Sequence, residues 1–313
     1  MSTPIYDTVA LIGIGLIGSS ISHAARRAGL CRRLVGHAKS PATRTTALRL
    51  GLVEEAYETA AEAVKDADLV ILCVPVGACA DVAREIGPHL KSGATLTDVG
   101  SVKGTIVRDC GPSVPDGVHF IPGHPIAGTE HSGPESGFAE LFDNRWCILT
   151  PAEGADTHAV DRLRDFWRGL GSNVEMMDAA HHDMVLAITS HVPHLIAFNI
   201  VNTADHLERV TDSEVIKFSA GGFRDFTRIA ASDPTMWRDV FLNNREAVLE
   251  MLGRFTEDLI HLQRSIRFGD GDTLFKLFAE ARKTRRGIIQ AGQDTAAPDF
   301  GRPHGAGTDS AKS

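Results

Sequence analysis

The chain has 313 residues, 43% of them hydrophobic and 23% charged, which is usual for a globular protein with room for two hydrophobic cores. Its formal net charge of −8, without a basic cluster interleaved with aromatic residues, argues against a nucleic-acid partner. No apolar run reaches the ~18 residues of a membrane span. The N-terminus lacks a signal-peptide pattern, and the five cysteines have neither metal nor redox spacing, so we expect a cytoplasmic protein without a membrane partner.

The first predicted unit is a strand, a glycine turn and a helix. Apolar residues 8–12 run directly into the turn, and residues 19–27 follow with a helical pattern. The first glycine of such a turn allows a tight bend, the second lets a pyrophosphate approach the backbone, and the third lets helix and strand pack closely. A merely glycine-rich turn is the alternative. The pattern favours a dinucleotide site, to which we assign Gly13, Gly15, Leu16, Ile17 and Gly18.

The end of the second predicted strand, over residues 33–37, bears on the choice of cofactor. An acidic side chain here would bind the adenosine ribose of NAD, but the chain has Ala38. Cations that could accept the 2′-phosphate of NADP lie close by, although they could equally be solvated residues at a helix start. We therefore predict NAD or NADP as cofactor, with the ribose end formed by His37, Lys39, Ser40 and Arg44.

Two further strands are predicted over residues 68–74 and 94–98, both rich in apolar and β-branched residues. The first ends at the cofactor edge with Val74 and Pro75. The second opens into a turn that carries Ser101 and Lys103. The Ser101 hydroxyl is expected to cap a helix, to contact the substrate, or both.

The segment 122–130 holds His124 between two prolines, with glycines on both sides. Such a segment is neither helix nor strand, and it predicts a rigid loop that presents the imidazole. The loop follows a predicted strand over residues 118–121, and ligands of open α/β sheets bind at the carboxyl ends of strands. The pKa of histidine suits proton transfer near neutrality, so His124 is a candidate base; a turn histidine that caps a carbonyl is the alternative.

Two more strands are predicted, over residues 146–150 and 174–177, with an amphipathic helix between them that ends at Gly171. From about residue 179 the pattern is helical only. We therefore predict an α/β Rossmann-type dinucleotide-binding domain over 1–178 and an all-α helical domain over 179–290, with a disordered tail over 291–313.

The first helix of this second part carries polar residues on an apolar background. Asp183, Ser190 and His194 fall within about 20° of one face of a regular α-helix, and Pro193 is expected to kink that helix. Asp183 and His194 lie ~16 Å apart along the axis at 1.5 Å per residue, too far for one ligand to bridge them, so we assign Asp183 a supporting role. No histidine pair has the i, i+4 spacing of a helical zinc site, which argues against a metal.

A glycine-broken stretch with two arginines follows at 219–229. The planar fork of an arginine suits a carboxylate ligand, while a surface salt bridge is the alternative for Arg224 and, less so, for Arg228. Asp233 and Pro234 predict the start of one helix that runs to about Phe268. Its apolar stripe is longer than one small domain can bury, so a partner subunit is expected to cover it.

With these motifs in order, the chain resembles the prephenate and arogenate dehydrogenases of tyrosine biosynthesis, also called cyclohexadienyl dehydrogenases. The resemblance rests on GIGLIG, DVGSVK, GHPIAGTE, HHDMVLAITSHVPH and GGFRDFTRIAASDPTMW and spans nearly all of the chain before the tail. It implies a helical domain that forms a homodimer, prephenate or arogenate as substrate, and oxidative decarboxylation with hydride transfer to NAD(P)+.

The resemblance also implies roles for individual residues. His124 would accept the proton of the ring hydroxyl, with Ser101 hydrogen-bonding the same region. His194 would contact the substrate side chain, and Arg228 would bind the ring carboxylate. The remaining implied roles are substrate contacts from Gly221 and Gly222, pairing of Asp183 with Arg228, support from Ser190, and a contribution of Trp237 across the dimer.

Two other functions share part of this pattern. A β-hydroxyacid dehydrogenase would have the glycine turn and a helical domain but would usually depend on a catalytic lysine. A nucleotide-sensing regulator would bind NAD(P) without chemistry. The presence of both Arg228 and His124 favours a prephenate or arogenate dehydrogenase over these two alternatives.

Overall fold

A computed structural model describes residues 4–129, 131–211 and 220–290. Its first part is built on a six-stranded sheet whose paired strands are all parallel, in the order β3-β2-β1-β4-β5-β6. The strands are β1 (Tyr6–Ile12), β2 (Cys31–His37), β3 (Glu55–Tyr57), β4 (Leu69–Leu72), β5 (Thr95–Asp98) and β6 (His119–Phe120). The strand order reverses between β1 and β4, and in doubly wound sheets dinucleotides bind at that reversal.

Helices cover both faces of the sheet. One core contains side chains of α1 (Leu16–Ala28), α2 (Pro41–Arg49) and α6 (Thr157–Gly169). The other contains side chains of α3 (Ala60–Val64), α4 (Val76–Ile86) and α5 (Gly104–Cys110). All four residues of β4 are buried, which explains why that strand is continuously apolar. The predicted Rossmann-type sheet is confirmed, although the short strand β3 was not predicted.

His124 lies in a second sheet, of three strands: β7 (Gly123–Pro125), β8 (Trp146–Leu149) and β9 (Asn173–Met176). Strand β7 is antiparallel to β8 and places His124 opposite Ile148. The expectation of a loop was therefore wrong for Gly123–Pro125, whereas residues 126–129 form neither helix nor strand, as predicted. Because β7 is at the edge of its sheet, Pro125 can lie there without leaving a ladder hydrogen bond unmade.

From residue 179 on, the described residues are helical and contain no strand. The helices are α7 (Ala179–Leu186), α8 (Val192–Thr211), α9 (Gly221–Thr227), α10 (Pro234–Asn243), α11 (Arg245–Phe268) and α12 (Gly271–Gln290). Gly221 and Gly222 begin α9 and do not interrupt a helix, and a 3-10 turn, Arg228–Ala231, follows it. The tail over 291–313, predicted to be disordered, lies outside the described residues.

Helices α7 and α8 are joined by a π-helical segment, Ala187–His191. Pro193, just after it, has no N–H and its ring crowds the carbonyl four residues earlier, a conflict that a wider turn relieves. The irregularity therefore comes before the proline at which a kink was predicted. It also shifts the helical phase, so the prediction that Asp183, Ser190 and His194 share one regular face was wrong.

The predicted helix from Pro234 to Phe268 is in fact two helices that meet at Asn244. This residue has φ −108° and ψ 33°, outside the helical region. It is buried, and its Nδ2 donates a hydrogen bond to the carbonyl of Asp183 at 2.9 Å. The break thus joins α10 and α11 to the helix that carries Asp183.

The apolar stripe along these helices is buried only at its beginning. Trp237 is 7% exposed and Val248 is 4% exposed, whereas Leu259 is 52% exposed and Ile266 is 67% exposed. Further large apolar side chains on α11 and α12 are also exposed, namely Ile260, Phe268, Phe275 and Phe278. One chain alone therefore does not cover the far half of the stripe.

By length and composition, the helical segment Ala179–Leu207 could cross a membrane, with a mean hydropathy of 1.6 in its most apolar window. The statement that no run of this length exists was wrong. The segment nevertheless includes the π-helical residues and carries buried His182 and His191, which are bonded to other elements. Core helices of globular proteins pass the same test of length and composition.

Candidate active site

The glycine turn between β1 and α1 has the geometry that a pyrophosphate requires. Gly13 has φ +100°, and a Cβ there would collide with the Cys73 carbonyl, while a Cβ at Gly18 would collide with the Gly13 carbonyl. At Gly15 a Cβ would meet no atom within 4 Å. Helix α1 begins at the next residue, with no side chain capping its N–H groups. The open space before these donors fits the phosphates of a dinucleotide.

The carboxyl end of β2 has cationic side chains at the position where an acidic side chain would bind the ribose of NAD. Arg44 donates from Nη1 to the carbonyls of Ala38, at 2.8 Å, and Lys39, at 3.3 Å, so its guanidinium is held at this edge. Lys39 is exposed, and Ser40 caps α2 by accepting from the Thr43 N–H at 3.4 Å. These side chains fit the ribose end of a nicotinamide dinucleotide and supply no carboxylate.

Three other residues assigned to the cofactor site flank this crevice. His37 ends β2, and its Nδ1 donates to the Tyr57 carbonyl at 3.1 Å, because a carbonyl can only accept. Val74 lies against the glycine turn, 3.1 Å from the position of a Cβ on Gly13. Pro75 is exposed and directly precedes α4. All three therefore lie at the carboxyl ends of β2 and β4.

A fully buried ion pair joins β5 to β7. The Lys103 ammonium donates to Asp98 Oδ2 and, at 2.7 Å, to the Gly123 carbonyl. Asp98 in turn accepts from the N–H groups of Gly100, at 2.8 Å, and Gly123, at 3.2 Å. Both side chains have no exposed surface. The pair fixes the residue before His124 to the carboxyl end of the parallel sheet, and it leaves Lys103 unavailable as a catalytic lysine.

His124 is the first member of a buried hydrogen-bonded chain. Its Nδ1 lies 2.8 Å from Nε2 of His182, and Nδ1 of His182 lies 2.8 Å from Oδ1 of Asp183. His182 has no exposed surface, and His124 and Asp183 are each 8% exposed. The two imidazole rings meet edge to face with centroids 5.1 Å apart. The chain links the dinucleotide-binding sheet to the helical part of the molecule.

Asp183 also caps a helix of the first part. Its Oδ1 accepts from the Lys103 N–H at 2.7 Å and its Oδ2 from the Gly104 N–H at 2.8 Å, at the start of α5. The capping role expected for Ser101 is therefore filled by Asp183. The Ser101 hydroxyl, half-buried in the same turn, makes no hydrogen bond within the described residues. Asp183 was expected to pair with Arg228. Its carboxylate instead bonds to the start of α5 and to His182.

The surroundings of His124 favour its neutral form. Burial lowers its pKa well below the ordinary value of 6.5, and His182, Lys103 and His191 lower the pKa further through their positive charge. Burial likewise lowers the pKa of His182, although the Asp183 carboxylate opposes that shift. A buried imidazole that stays neutral can accept a proton at neutral pH.

A second group of side chains lies around Trp237. The His194 ring stacks on this indole with centroids 3.7 Å apart, and the His194 Nδ1 donates to the Ser190 carbonyl at 2.9 Å. Ser190 thus supports His194 through its backbone. Burial lowers the pKa of His194, and the positive charge of Arg228 lowers it further. Trp237 makes these contacts within its own chain and is 7% exposed, and its contribution across a dimer stays a prediction.

His191 lies between these two groups. It has no exposed surface, its ring is 6.1 Å from the Trp237 ring, and its Nδ1 accepts from Asn244 Nδ2 at 3.1 Å. Burial lowers its pKa to about 4. A positive charge on His191 lowers the pKa of His124, so the two groups lie close enough to interact electrostatically. No cluster of three or more His, Cys, Asp or Glu side chains in the described part of the chain is arranged to hold a metal.

The two arginines of α9 and the turn after it differ in their surroundings. Arg224 is exposed and pairs with its neighbour Asp225 at 3.1 Å, the surface salt bridge considered as its alternative. Arg228 is also exposed, but its charge acts on His194. Gly221 and Gly222 are the first two residues of α9, before both arginines. A Cβ on Gly222 would meet open space.

Sequence reasoning missed several contacts of this region. His182 and His191 were considered only as metal ligands, Asn244 was placed inside a continuous helix, and the pairing of Lys103 with Asp98 was not foreseen. The adjacent His182 and Asp183 were the available signal, because an aspartate beside a histidine is a common way to orient an imidazole.

The fold and the site define a nicotinamide-dependent dehydrogenase with a dinucleotide-binding sheet and a helical C-terminal part. Residues 21–176 match the nucleotide-binding domain of prephenate dehydrogenase, and residues 178–280 match its dimerization domain. The chain belongs to the prephenate dehydrogenase family.

Individual relatives agree with this assignment. Cyclohexadienyl dehydrogenase of Zymomonas mobilis is 39% identical over 281 residues, which are 90% of this chain and 96% of that protein. Prephenate dehydrogenase of Bacillus subtilis is 33% identical over 283 residues, 90% of this chain and 76% of that protein. The crystal structure of prephenate dehydrogenase from A. aeolicus with hydroxyphenyl propionate and NAD+ superposes with a TM-score of 0.85 at 35% identity, covering 92% of this chain and 99% of that one.

Proposed function

We propose that this chain catalyses the oxidative decarboxylation of prephenate, arogenate or both, to 4-hydroxyphenylpyruvate or tyrosine, with NAD(P)+ as hydride acceptor. The observation that carries the proposal is the environment of His124. Its imidazole is buried, favoured in the neutral form, hydrogen-bonded through Nδ1, and fixed to the carboxyl end of a dinucleotide-binding sheet.

In this reaction His124 is the base. Its Nε2, which makes no hydrogen bond among the described residues, accepts the proton of the C4 hydroxyl. NAD(P)+, when bound at the glycine turn, supplies the acceptor for the hydride that leaves C4. The C1 carboxylate leaves as CO2, the electron pair of the broken C–C bond completes the aromatic ring, and the phenolate oxygen so formed takes the proton back from the His124 imidazolium. Ser101 is proposed to hydrogen-bond the same hydroxyl from the turn after β5.

The substrate carries two carboxylates, so the proposal also needs a cation in a protein of net charge −8. Arg228 is suited to the ring carboxylate, because its planar fork can donate two parallel hydrogen bonds. His194, held by the Ser190 carbonyl and stacked on Trp237, is suited to the substrate side chain. Gly221 and Gly222 are proposed to line the same end of the pocket.

Steady-state kinetics with prephenate and with arogenate, each with NAD+ and NADP+, test the proposal. We expect one CO2 released for each reduced nicotinamide formed. A protein that oxidises a β-hydroxyacid and neither of these substrates would be a β-hydroxyacid dehydrogenase. One that binds NAD(P)+ without turning over any of them would be a sensor. Either result would reject the proposed activity.

The missing acid at Ala38 and the nearby Arg44 support use of NADP+ as well as NAD+. The substitution Ala38→Asp would repel the 2′-phosphate and provide an acceptor for the ribose hydroxyls of NAD+. We expect the ratio of kcat/KM with NAD+ to kcat/KM with NADP+ to rise about 10-fold or more, since 1.4 kcal/mol corresponds to one decade. An unchanged ratio would show that the end of β2 does not select the cofactor.

We also infer that the chain forms a homodimer through the exposed stripe of α11 and α12 and divides into domains near residue 178. The helical region matches a dimerization domain, and large apolar side chains such as Phe268 and Phe275 are more than 70% exposed in one chain. Sedimentation of the full chain is expected to give twice the mass of a single chain. We propose a cytoplasmic location, as expected for a biosynthetic enzyme.

A further inference from the structure

We propose that His182 is a positioning residue that, with Asp183, fixes His124 in the tautomer protonated on Nδ1, leaving the lone pair on Nε2. The inference rests on the proposed function for its kinetic consequence only. The tautomer itself is a property of the protein and can be measured without turnover.

The direction of the hydrogen bonds follows from their far end. Asp183 is a carboxylate that accepts from two backbone N–H groups at the start of α5, and a carboxylate can only accept. His182 must therefore donate to it from Nδ1. A neutral imidazole has one donor and one acceptor, so Nε2 of His182 accepts, and its partner, Nδ1 of His124, carries the hydrogen.

The consequence for catalysis is geometric. An isolated neutral imidazole can carry its hydrogen on either nitrogen, and only the ring with a bare Nε2 can take a proton from a substrate on that side. The chain of hydrogen bonds removes the unproductive tautomer. In the serine proteases, where an aspartate fixes a histidine in the same way, loss of the correct tautomer lowers kcat by up to about 10⁴-fold.

The charges around the chain make this arrangement sensitive to Asp183. His124 faces His182, Lys103 and His191, all of which oppose a positive charge on its ring. His182 faces Lys103, Asp183 and Asp98. The charge of Asp98 is already matched by the Lys103 ammonium bonded to it. Asp183 is thus the carboxylate that stabilises the imidazolium as His124 takes up the proton, acting through the polarised His182 ring.

His182 also packs tightly, so the test must separate orientation from packing. In His182→Phe the edge-to-face ring contact is retained but the acceptor for His124 is lost. In His182→Gln an amide oxygen can still accept from Nδ1 of His124. His181→Asn, at an exposed neighbouring position, is the matched control. Retention of the wild-type melting temperature shows which variants keep the fold.

The decisive measurement is ¹⁵N NMR of histidine-labelled full-length protein at pH 7.5, with His124 assigned by its loss in His124→Asn. We expect wild type to show His124 protonated on Nδ1, and His182→Phe to show it protonated on Nε2 or as a mixture. If Nδ1 of His124 carries no hydrogen in the wild-type protein, the proposal is overturned, whether or not the variants fold.

Kinetics then test the consequence. We expect His182→Phe to lower kcat by about 10- to 10³-fold with KM changed less than about threefold, and His182→Gln to recover at least 10-fold of that loss. Equal losses in Phe and Gln, or a loss confined to KM, would contradict the positioning role. If wild type has the expected tautomer but turns over neither prephenate nor arogenate, the proposed function fails while the tautomer assignment stands.

Discussion

The two ends of the proposed site are built in different ways. At the reaction end, His124 and His182 are buried and hydrogen-bonded to each other, His182 is bonded to Asp183, and a buried ion pair holds the adjoining backbone. At the anchoring end, Arg228 is exposed and His194 is only half-buried. The groups of the first end lie inside the protein, whereas the cation of the second end lies at its surface.

This difference matches what each end has to do. A base must have a fixed orientation and a suitable pKa before the substrate arrives, and both are achieved by partners within the protein. An anchor must exchange water for a substrate carboxylate, so its cation has to remain accessible in the free protein. Substitutions at the two ends are therefore expected to change different kinetic constants.

The largest effect is expected from His124→Asn. It removes the base but retains a polar side chain of similar size on β7. We expect kcat to fall about 10²- to 10⁴-fold, the usual contribution of a general base, with KM little changed. Steady-state kinetics over pH 6 to 9 provide the measurement.

His181→Asn is the control for this substitution, because His181 is exposed at the surface near the same site. Its kcat should stay within about twofold of wild type. A near-normal kcat in His124→Asn would show that the buried chain is structural, and the contrast between the two ends would disappear.

The next largest effect is expected from Arg228→Ala. Loss of one partner of a desolvated charge pair typically costs about 2–5 kcal/mol, which is roughly a 30-fold to several-thousand-fold loss of affinity. We expect this loss mainly in KM, with a smaller change in kcat. Arg228→Lys should restore only part of it, since an ammonium cannot donate in the bidentate geometry.

Arg224→Ala is the matched control, since Arg224 is also exposed and lies four residues away, where it pairs with Asp225 beside it. It should change KM less than about threefold, as expected for a surface ion pair. A larger increase in KM from Arg224→Ala than from Arg228→Ala would show that Arg228 is not the residue that binds the substrate carboxylate.

The smallest effect concerns stability against pH. Burial lowers the pKa of His191 to about 4, so the folded protein binds fewer protons than the unfolded chain between pH 6.5 and 4. The free energy of unfolding is unaffected above pH 6.5 and falls as pH decreases through this range. For His191 alone the loss at pH 5 is about 2 kcal/mol, and His124 and His182 shift in the same direction.

Melting temperatures at pH 7.5 and pH 5 measure this effect. His191→Gln should reduce the difference between the two, while His261→Gln, at an exposed position, serves as the surface control. A difference unchanged in His191→Gln would mean that this buried ring does not contribute to the acid sensitivity of the reaction end.

The parts of the fold that follow local rules were predicted from the sequence. The glycine turn at Gly13 follows from backbone geometry, and the buried strand Leu69–Leu72 follows from hydrophobic pattern. The strand Glu55–Tyr57 was missed because three residues without an apolar alternation give no signal. The strand at His124 was missed because it is short and depends on pairing with Trp146–Leu149.

The site was predicted less completely, because its contacts join distant parts of the chain. His124 and Arg228 were selected through local motifs and resemblance. His182 meets His124 across 58 positions, and Asn244 meets Asp183 across 61, so neither contact has a local pattern. The partner of Asp183 was also mistaken, since the docking of its helix against α5 decides which donors reach it.

The π-helical segment Ala187–His191 makes this region tolerant of changes in residue type but not of changes in chain length. Helix α7 bears His182 and Asp183, helix α8 bears His194, and one extra residue in the turn between them sets the angle between the two groups. Inserting a further residue there would rotate all that follows by about 100°, the angle that each residue of a regular α-helix adds. Substitutions at exposed Ile188 or Thr189 keep the angle between the two groups. Over evolutionary time the segment should therefore vary in sequence while insertions within it are eliminated.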